Sequence, residues 1–209
     1  MNAQAQPLPG ALCASWRATL QALEPWPALL VEALDHRQVL QALEHAGWRA
    51  PIAQSLNVPP DQLACNLSRC HVRTGRPSHL WHQDGALCHD FVAVPEPPPE
   101  ALLSMVTCWI ALTPCGEHAP GLEWVAAPLD RLLPVAALDD AAVQARFAQH
   151  AFVRPVLQPG DVVLFTADCL HRTHLTPQMQ QHRLSLELRF LDARALPARL
   201  AADRFERWS

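Results

Sequence analysis

Short apolar runs separated by turn residues fill the chain from residue 63 onwards. The runs occupy residues 63–72, 102–112, 122–126, 152–157, 161–165, 169–175 and 184–190. Runs of this length, bounded by glycine, proline and polar residues, are typical of β-strands, and several in succession are typical of a sandwich or a barrel. The pattern therefore predicts a mainly β domain.

The N-terminal region has a helical periodicity instead. Apolar residues recur at intervals of three and four within 11–24 and 28–46, as an amphipathic helix requires. Gly47 supplies a stop for the second of these helices. A further helix is predicted over 139–150, where either of the two aspartates at its start can cap it.

Length and composition predict a single domain. A chain of 209 residues with 50% hydrophobic content is long enough for one sizeable core and short for two. Its last apolar residues, at 196, 200, 205 and 208, have the spacing of a short amphipathic helix. We therefore predict one domain over residues 1–209, with a helical N-terminal support over 1–60, a β core over 61–190 and a C-terminal helix over 191–209.

Two proline-containing segments indicate connections. Residues 158–161, Gln-Pro-Gly-Asp, place proline and glycine at the central positions of a type II turn. Because apolar runs flank this turn, we expect it to join two strands as a hairpin. The four prolines between residues 95 and 99 cannot lie in a central strand. We therefore predict that residues 85–100 form an extended loop that can serve as a lid.

Charge and hydropathy exclude several classes of partner. The net charge is -4, and the 16 basic residues are all arginines spread along the chain, so no nucleic-acid partner is predicted. No apolar run approaches the roughly 20 residues that span a bilayer, and the N-terminus lacks the pattern of a signal peptide. We expect no membrane partner and a cytoplasmic protein.

Seven cysteines form an odd set without a Cys-x-x-Cys motif. That spacing argues against a disulfide framework and against a standard zinc site. We expect reduced thiols that are mostly buried.

The sequence Trp81-His82-Gln83-Asp84 contains a candidate metal site. Side chains alternate along an extended backbone, so His82 and Asp84 project to one side while Gln83 turns away. A third ligand has to come from another segment, where either His171 or His174 is available. Two imidazoles and one carboxylate on one face of an octahedron leave three positions open, an arrangement associated with Fe(II) oxygenases.

The His-x-Asp pair is weak evidence when taken alone, because the chain has 11 histidines and chance pairs are expected. The order of features strengthens the interpretation. The pair is followed by a tryptophan-bearing strand, the Pro-Gly-Asp turn, a histidine, and the sequence Arg183-Leu184-Ser185 at the start of a last strand.

These features together resemble the phytanoyl-CoA dioxygenase-like group of Fe(II)/2-oxoglutarate oxygenases. The resemblance covers roughly residues 63 to 190, through WHQDG, VTCWIALTPCGEHAPGLEWVAAP, LQPGDVVLFTADCLHRTH and RLSLELRF. It implies a double-stranded β-helix, that is, a cupin-like jelly roll flanked by helices. It also implies Fe(II), 2-oxoglutarate and dioxygen as cofactor and co-substrates, and a small organic molecule as substrate.

The resemblance assigns roles to matching residues. His82, Asp84 and His171 would be the iron ligands, Arg183 would bind the distal carboxylate of 2-oxoglutarate, and Ser185 would assist it. An arginine suits that role because its planar fork can donate two parallel hydrogen bonds to a carboxylate. Because the carboxylate ligand Asp84 is present, the resemblance implies hydroxylation, desaturation or ring closure rather than halogenation.

Several alternatives stay open at this point. The barrel can belong to a metal enzyme that uses no 2-oxoglutarate, or to a binding protein without catalysis. Trp81, Trp109 and Trp124 can wall a pocket or belong to the core. Three arginines before the metal motif can bind an anionic substrate or form a solvated basic edge; they are Arg69, Arg73 and Arg76.

Overall fold

A computed structural model describes residues 6–23, 34–75, 80–86, 100, 102–134 and 137–208, with the side chains of 73–75 excepted. Its helices are α1 (Gly10–Gln21), α2 (His36–His45), α3 (Arg49–Leu56) and α4 (Asp140–Arg146). Its strands are β1 (Leu63–Asn66), β2 (His71–Gly75), β3 (Val106–Ala111), β4 (Gly121–Val125), β5 (Phe152–Val153), β6 (Val162–Thr166), β7 (His171–His174), β8 (Arg183–Asp192) and β9 (Phe205–Arg207). Within these ranges no helix is both long and apolar enough to cross a bilayer.

The strands form two antiparallel sheets. The larger has the order β6-β3-β8-β1-β9, with β2 also paired to β8, and the smaller has the order β5-β4-β7. Leu122 of the smaller sheet packs in one buried cluster with Trp109 and Ala111 of the larger one. The sheets therefore face each other as a jelly roll flanked by helices, which confirms the predicted fold class.

Strand β8 separates the core from the interior of the jelly roll. Its even-numbered residues from 184 to 190 are apolar and pack in the main core, which also contains residues of α1, α2 and α3. Its odd-numbered residues lie on the opposite face, because side chains alternate along a strand. The first four of them are polar and buried: Arg183, Ser185, Glu187 and Arg189. A polar surface inside a β domain marks the place where a site can form.

The predicted type II turn is present, but the predicted hairpin is wrong. Gly160 has a φ of 98°, and the N–H of Asp161 donates to the carbonyl of Gln158 at 3.0 Å. The strands on either side lie in different sheets, since β5 pairs with β4 and β6 pairs with β3. The turn fixes only a local reversal of the chain, whereas the sheet that each strand joins depends on distant partners.

The predicted C-terminal helix is also wrong. Residues Ala198–Leu200 form a single 3-10 turn, and Phe205–Arg207 form β9, which pairs with the edge of β1. Leu200 and Trp208 are buried as their apolar character requires. Strand β9 forms hydrogen bonds with backbone groups that β1 would otherwise expose. The spacing of apolar side chains gives no information about these backbone hydrogen bonds.

Other local predictions have mixed outcomes. Helix α4 begins where predicted, with the Asp139 carboxylate accepting a hydrogen bond from the Ala142 N–H at 2.8 Å. Gly47 ends α2 with a φ of 81°. The proposed lid falls mostly within 87–99, which lies outside the described residues. The single-domain organisation stays a prediction.

We expect the substitution Gly160→Ala to destabilise the protein. A Cβ at this position would lie 2.3 Å from the carbonyl oxygen of Leu8, and the φ of 98° is unfavourable for any residue that carries a Cβ. The conformational cost alone is about 1 to 2 kcal/mol. Urea denaturation should show a lower midpoint. The matched control is Gly10→Ala, where a Cβ meets nothing within 4 Å; its midpoint should be unchanged or higher. Equal midpoints for the two variants would contradict the prediction.

Candidate active site

Two histidines from distant segments are brought together by a pair of backbone hydrogen bonds. The His82 N–H donates to the His171 carbonyl at 2.9 Å, and the His171 N–H donates to the His82 carbonyl at 3.0 Å. The two imidazole rings therefore stand side by side, with their centroids 4.2 Å apart. This bridge links the short segment before Asp84 to strand β7.

Asp84 completes a group of three. It opens a 3-10 turn, Asp84–Ala86, and its side chain is 3% exposed. One ligand atom from each of His82, Asp84 and His171 lies within 4.8 Å of the other two. Nitrogen and oxygen donors at this spacing suit a single transition-metal ion, and the set of two imidazoles and one carboxylate is that of a non-haem iron site.

Gln83 turns away from this group, as the alternation predicts. Its amide nitrogen donates to the carbonyls of Arg131 and Asp168 at 2.9 and 2.8 Å, and its amide oxygen accepts from the Leu133 N–H at 2.7 Å. These three hydrogen bonds fix the backbone that presents the residues on either side.

The ring orientation of both histidines suits metal binding. Nδ1 of His82 lies 2.7 Å from the Leu80 carbonyl, and Nδ1 of His171 lies 3.0 Å from the Cys169 carbonyl. A carbonyl accepts the Nδ1 proton and leaves the Nε2 lone pair available to a metal. Burial, together with the neighbouring His171, lowers the pKa of His82 to about 4. The His82 imidazole is therefore neutral near pH 7.

His174 lies on the other face of β7. Strand alternation directs His171 inwards and His174 towards the buried carboxylate of Glu123, at 3.9 Å between Nδ1 and Oε2. Glu123 also binds Arg154 and Arg172 at 2.6 Å each. The geometry thus favours His171 over His174 as the third member of the group.

Two further residues contact the carboxylate of Asp84, and both were missed from the sequence. They are Thr107 on β3 and Arg189 on β8. Burial alone would raise the pKa of Asp84, but the Arg189 guanidinium, the two imidazoles and the Thr107 hydroxyl hold it well below its usual range. The sequence contained one signal for Arg189. It follows Arg183 by an even number of residues, so both side chains lie on the same face of the predicted strand.

Arg183 lies near the two histidines of this group. A small cavity between the sheets is lined by His82, His171 and Arg183, among others. The Arg183 side chain is buried, and its Nη1 donates to the Gly121 carbonyl at 3.3 Å. Its guanidinium carbon lies 5.8 Å from the centre of the Trp109 ring. A buried cation in a cavity lined by two candidate metal ligands is suited to hold an anionic co-substrate.

The residues around Arg183 fit a carboxylate. Within the described part of the chain, the Ser185 hydroxyl and the Trp109 indole N–H are buried and have no hydrogen-bond partner. Leaving a buried donor unsatisfied costs about 1 to 3 kcal/mol. An anion bound at Arg183 is a chemically suitable partner for such donors, and the assisting role of Ser185 stays a prediction.

The three tryptophans have different environments. Trp81 packs in a core cluster under α4, and its indole N–H donates to Asp140 at 2.9 Å. Trp109 is buried beside Arg183. Trp124 lines an open groove of about 410 Å³ with Phe165, whose ring lies 4.4 Å from that of His171. The Phe165 ring therefore connects the lining of this groove to one candidate metal ligand.

Of the three arginines before the metal motif, Arg69 forms an ion pair with Asp203 at 3.1 Å. The side chain of Arg73 and the whole of Arg76 lie outside the described residues. The contact that Arg69 makes supports a structural role for this residue.

The described cysteines are buried or half-buried, and none forms a disulfide with another described residue. Burial raises the pKa of Cys115 to about 11 and that of Cys169 to about 12. Thiols of this kind stay protonated and unreactive at neutral pH. The expectation of reduced, mostly buried thiols holds for these six, while Cys88 lies outside the described residues.

Solved structures with a similar fold include several iron enzymes. The non-haem alpha ketoglutarate-dependent carbocyclase SnoK from nogalamycin biosynthesis has a TM-score of 0.61 and 19% identity, with 89% of this chain and 77% of that chain covered. The epimerase SnoN, solved in complex with Fe3+, alpha ketoglutarate and nogalamycin RO, has a TM-score of 0.58 and 16% identity, with 89% and 78% covered. At these identities the likeness concerns the fold.

EctD from S. alaskensis, solved with bound Fe, has a TM-score of 0.53 and 18% identity. The match covers 78% of this chain and 52% of that chain, so the chain spans about half the length of EctD. No curated protein sequence matches the chain.

A family model supplies the sequence evidence. The model of phytanoyl-CoA dioxygenase (PhyH) matches residues 18–179. This range contains the three residues that converge in the candidate metal centre, whereas Arg183 and Ser185 lie beyond its end. The resemblance predicted from the motifs is confirmed, and the chain belongs to the phytanoyl-CoA dioxygenase family.

Proposed function

We propose that this protein is an Fe(II)- and 2-oxoglutarate-dependent dioxygenase that oxidises a small organic molecule, with succinate and carbon dioxide as co-products. One observation carries the proposal: His82, Asp84 and His171 present ligand atoms within 4.8 Å of one another, and the two histidines line a cavity together with Arg183. Membership of the phytanoyl-CoA dioxygenase family supports the same function.

Each residue of the site has a distinct task. His82, Asp84 and His171 would hold iron on one face and leave the opposite face open. Arg183 would bind the distal carboxylate of 2-oxoglutarate, with the Ser185 hydroxyl as a further donor. When bound, the iron supplies the activation of dioxygen that is coupled to decarboxylation of the co-substrate.

The protein contributes positioning and exclusion of water. Arg183 and Ser185 are 3% and 0% exposed, so a carboxylate bound there would be withdrawn from solvent. Electrostatic interactions are stronger in such a setting. The groove beside Phe165 would receive the substrate next to the metal ligands. Because Asp84 is present as a carboxylate, we propose hydroxylation, with desaturation or ring closure as related outcomes, rather than halogenation.

The test is anaerobic addition of Fe(II) and 2-oxoglutarate to the metal-free protein. We expect a weak visible charge-transfer band from the chelate and, after admission of air with a panel of small substrates, formation of succinate. Metal binding without a band would favour a metal enzyme that uses no 2-oxoglutarate. Absence of metal binding would favour a binding protein without catalysis.

A further inference from the structure

We propose that Thr107 and Arg189 are positioning residues that occupy one oxygen of the Asp84 carboxylate, so that only the other oxygen binds metal. This inference rests on the proposed metal centre. It assigns to both residues a role in setting how many positions on the metal stay open.

The two oxygens of Asp84 have different surroundings. Oδ2 accepts from the Thr107 hydroxyl at 2.5 Å and from Nε of Arg189 at 3.3 Å, and Nη2 of Arg189 lies 3.1 Å away. Oδ1 has one long contact, 3.3 Å from Nη2 of Arg189, and lies 3.8 Å from Nε2 of His82. Oδ1 is therefore the oxygen that faces the His82 imidazole.

Sheet pairing places the two donors next to each other. Thr107 on β3 and Arg189 on β8 are direct partners in the antiparallel register. Cross-strand partners of this kind have Cβ atoms about 4.5 to 5.5 Å apart and point to the same face. Both side chains therefore rise together from the inner face of the large sheet, beneath the carboxylate of Asp84.

Arg189 is held firmly in this place. Its Nη1 donates to the Arg69 carbonyl at 2.7 Å, and its Nη2 lies 3.3 Å from Oε2 of Glu187. Arg189 is 2% exposed, and Thr107 is fully buried. A side chain with this many buried contacts has few alternative rotamers, so the donors keep their positions when a metal binds or leaves.

Occupation of Oδ2 has a chemical consequence. A carboxylate that binds metal through both oxygens uses two coordination positions, whereas one that binds through a single oxygen uses one. With Oδ2 hydrogen-bonded, His82, Asp84 and His171 supply three ligand atoms, and three octahedral positions remain. A bidentate co-substrate and dioxygen together need those three positions.

The test compares three variants of the full chain with the wild-type protein. Thr107→Val keeps the shape but removes the hydroxyl donor, Arg189→Met removes the cation and its fork, and Arg189→Lys keeps the charge. Arg154→Met is the matched control, because it removes an arginine from a buried carboxylate, that of Glu123, on the outer face. Far-UV circular dichroism and thermal unfolding establish that each variant is folded.

Two measurements do not depend on turnover. The affinity of the metal-free protein for Mn(II), followed by the EPR signal of the free ion, should fall about 10- to 100-fold in Arg189→Met and about 10-fold in Thr107→Val. Arg189→Lys should recover part of the loss, and Arg154→Met should bind as wild type. The visible spectrum of the Co(II)-loaded protein should change in Thr107→Val and Arg189→Met, because the coordination of Asp84 changes.

The outcomes separate this inference from the proposed function. If Thr107→Val and Arg189→Met bind Mn(II) as wild type and give the same Co(II) spectrum, the positioning role is overturned. If Arg189→Met does not fold, Thr107→Val decides, since it leaves the ion pair intact. If the wild-type protein binds Mn(II) no better than Asp84→Ala, the metal centre itself is overturned, and the positioning role with it.

Discussion

Replacement of His171 by alanine is expected to remove tight Fe(II) binding and the 2-oxoglutarate charge-transfer band, whereas replacement of His174 leaves both intact. The loss should exceed the about 10- to 100-fold typical of residues that only support a metal ligand. The two histidines are three positions apart on one strand, but only His171 lies with His82 and Asp84. A difference in iron binding between the two variants would therefore depend on where each histidine lies and not on the loss of a histidine as such.

The measurement is Fe(II) affinity under anaerobic conditions, by competition with a chromophoric chelator. His174→Ala is the matched control, since it removes an imidazole of the same size from the Glu123 side of β7. Thermal unfolding of both variants identifies any loss that comes from misfolding. The assignment is wrong if His174→Ala loses iron while His171→Ala keeps it.

Replacement of Arg183 by methionine is expected to raise the KM for 2-oxoglutarate by about 30-fold to several-thousand-fold. Removing one partner of a buried charge pair commonly costs about 2 to 5 kcal/mol, and each 1.4 kcal/mol corresponds to a factor of ten in affinity. Methionine keeps much of the apolar stem, so the change falls mainly on the guanidinium. Fe(II) affinity should stay close to that of wild type, because Arg183 is not among the proposed ligands.

Two comparisons sharpen this result. Arg183→Lys should recover only part of the affinity, because an ammonium group cannot present the planar fork that matches a carboxylate. Arg154→Met should leave the KM for 2-oxoglutarate unchanged. Steady-state rates of succinate formation at varied 2-oxoglutarate give each KM. An unchanged KM in Arg183→Met would show that the co-substrate is held elsewhere.

The parts of the site that depend on local backbone geometry were predictable. His82 and Asp84 are two residues apart, so alternation places them on one side and Gln83 on the other. Gly160 was predicted at a turn position that requires a positive φ, and its φ is 98°. The motifs also suggested His171 over His174, and the direction of each side chain on β7 agrees with that preference.

The parts that depend on distant pairing were not predictable from periodicity. Arg189 reaches Asp84 across 105 positions in the sequence, and Thr107 stands beside it only because β3 and β8 pair in one particular register. The same limitation explains the wrong hairpin at residues 158–161 and the wrong C-terminal helix. In each case the local pattern was present, but the choice of partner strand decided the structure.

The two faces of β8 couple assembly of the candidate active site to folding. A slip of one residue in the pairing of this strand would exchange its two faces. Two arginines, a glutamate and a serine would then lie under the helices, and leucines would lie in the cavity between the sheets. Such a misaligned state would bury charge without partners and would be strongly disfavoured. Correct alignment of β8 thus forms the hydrophobic core and the polar lining of the candidate active site together.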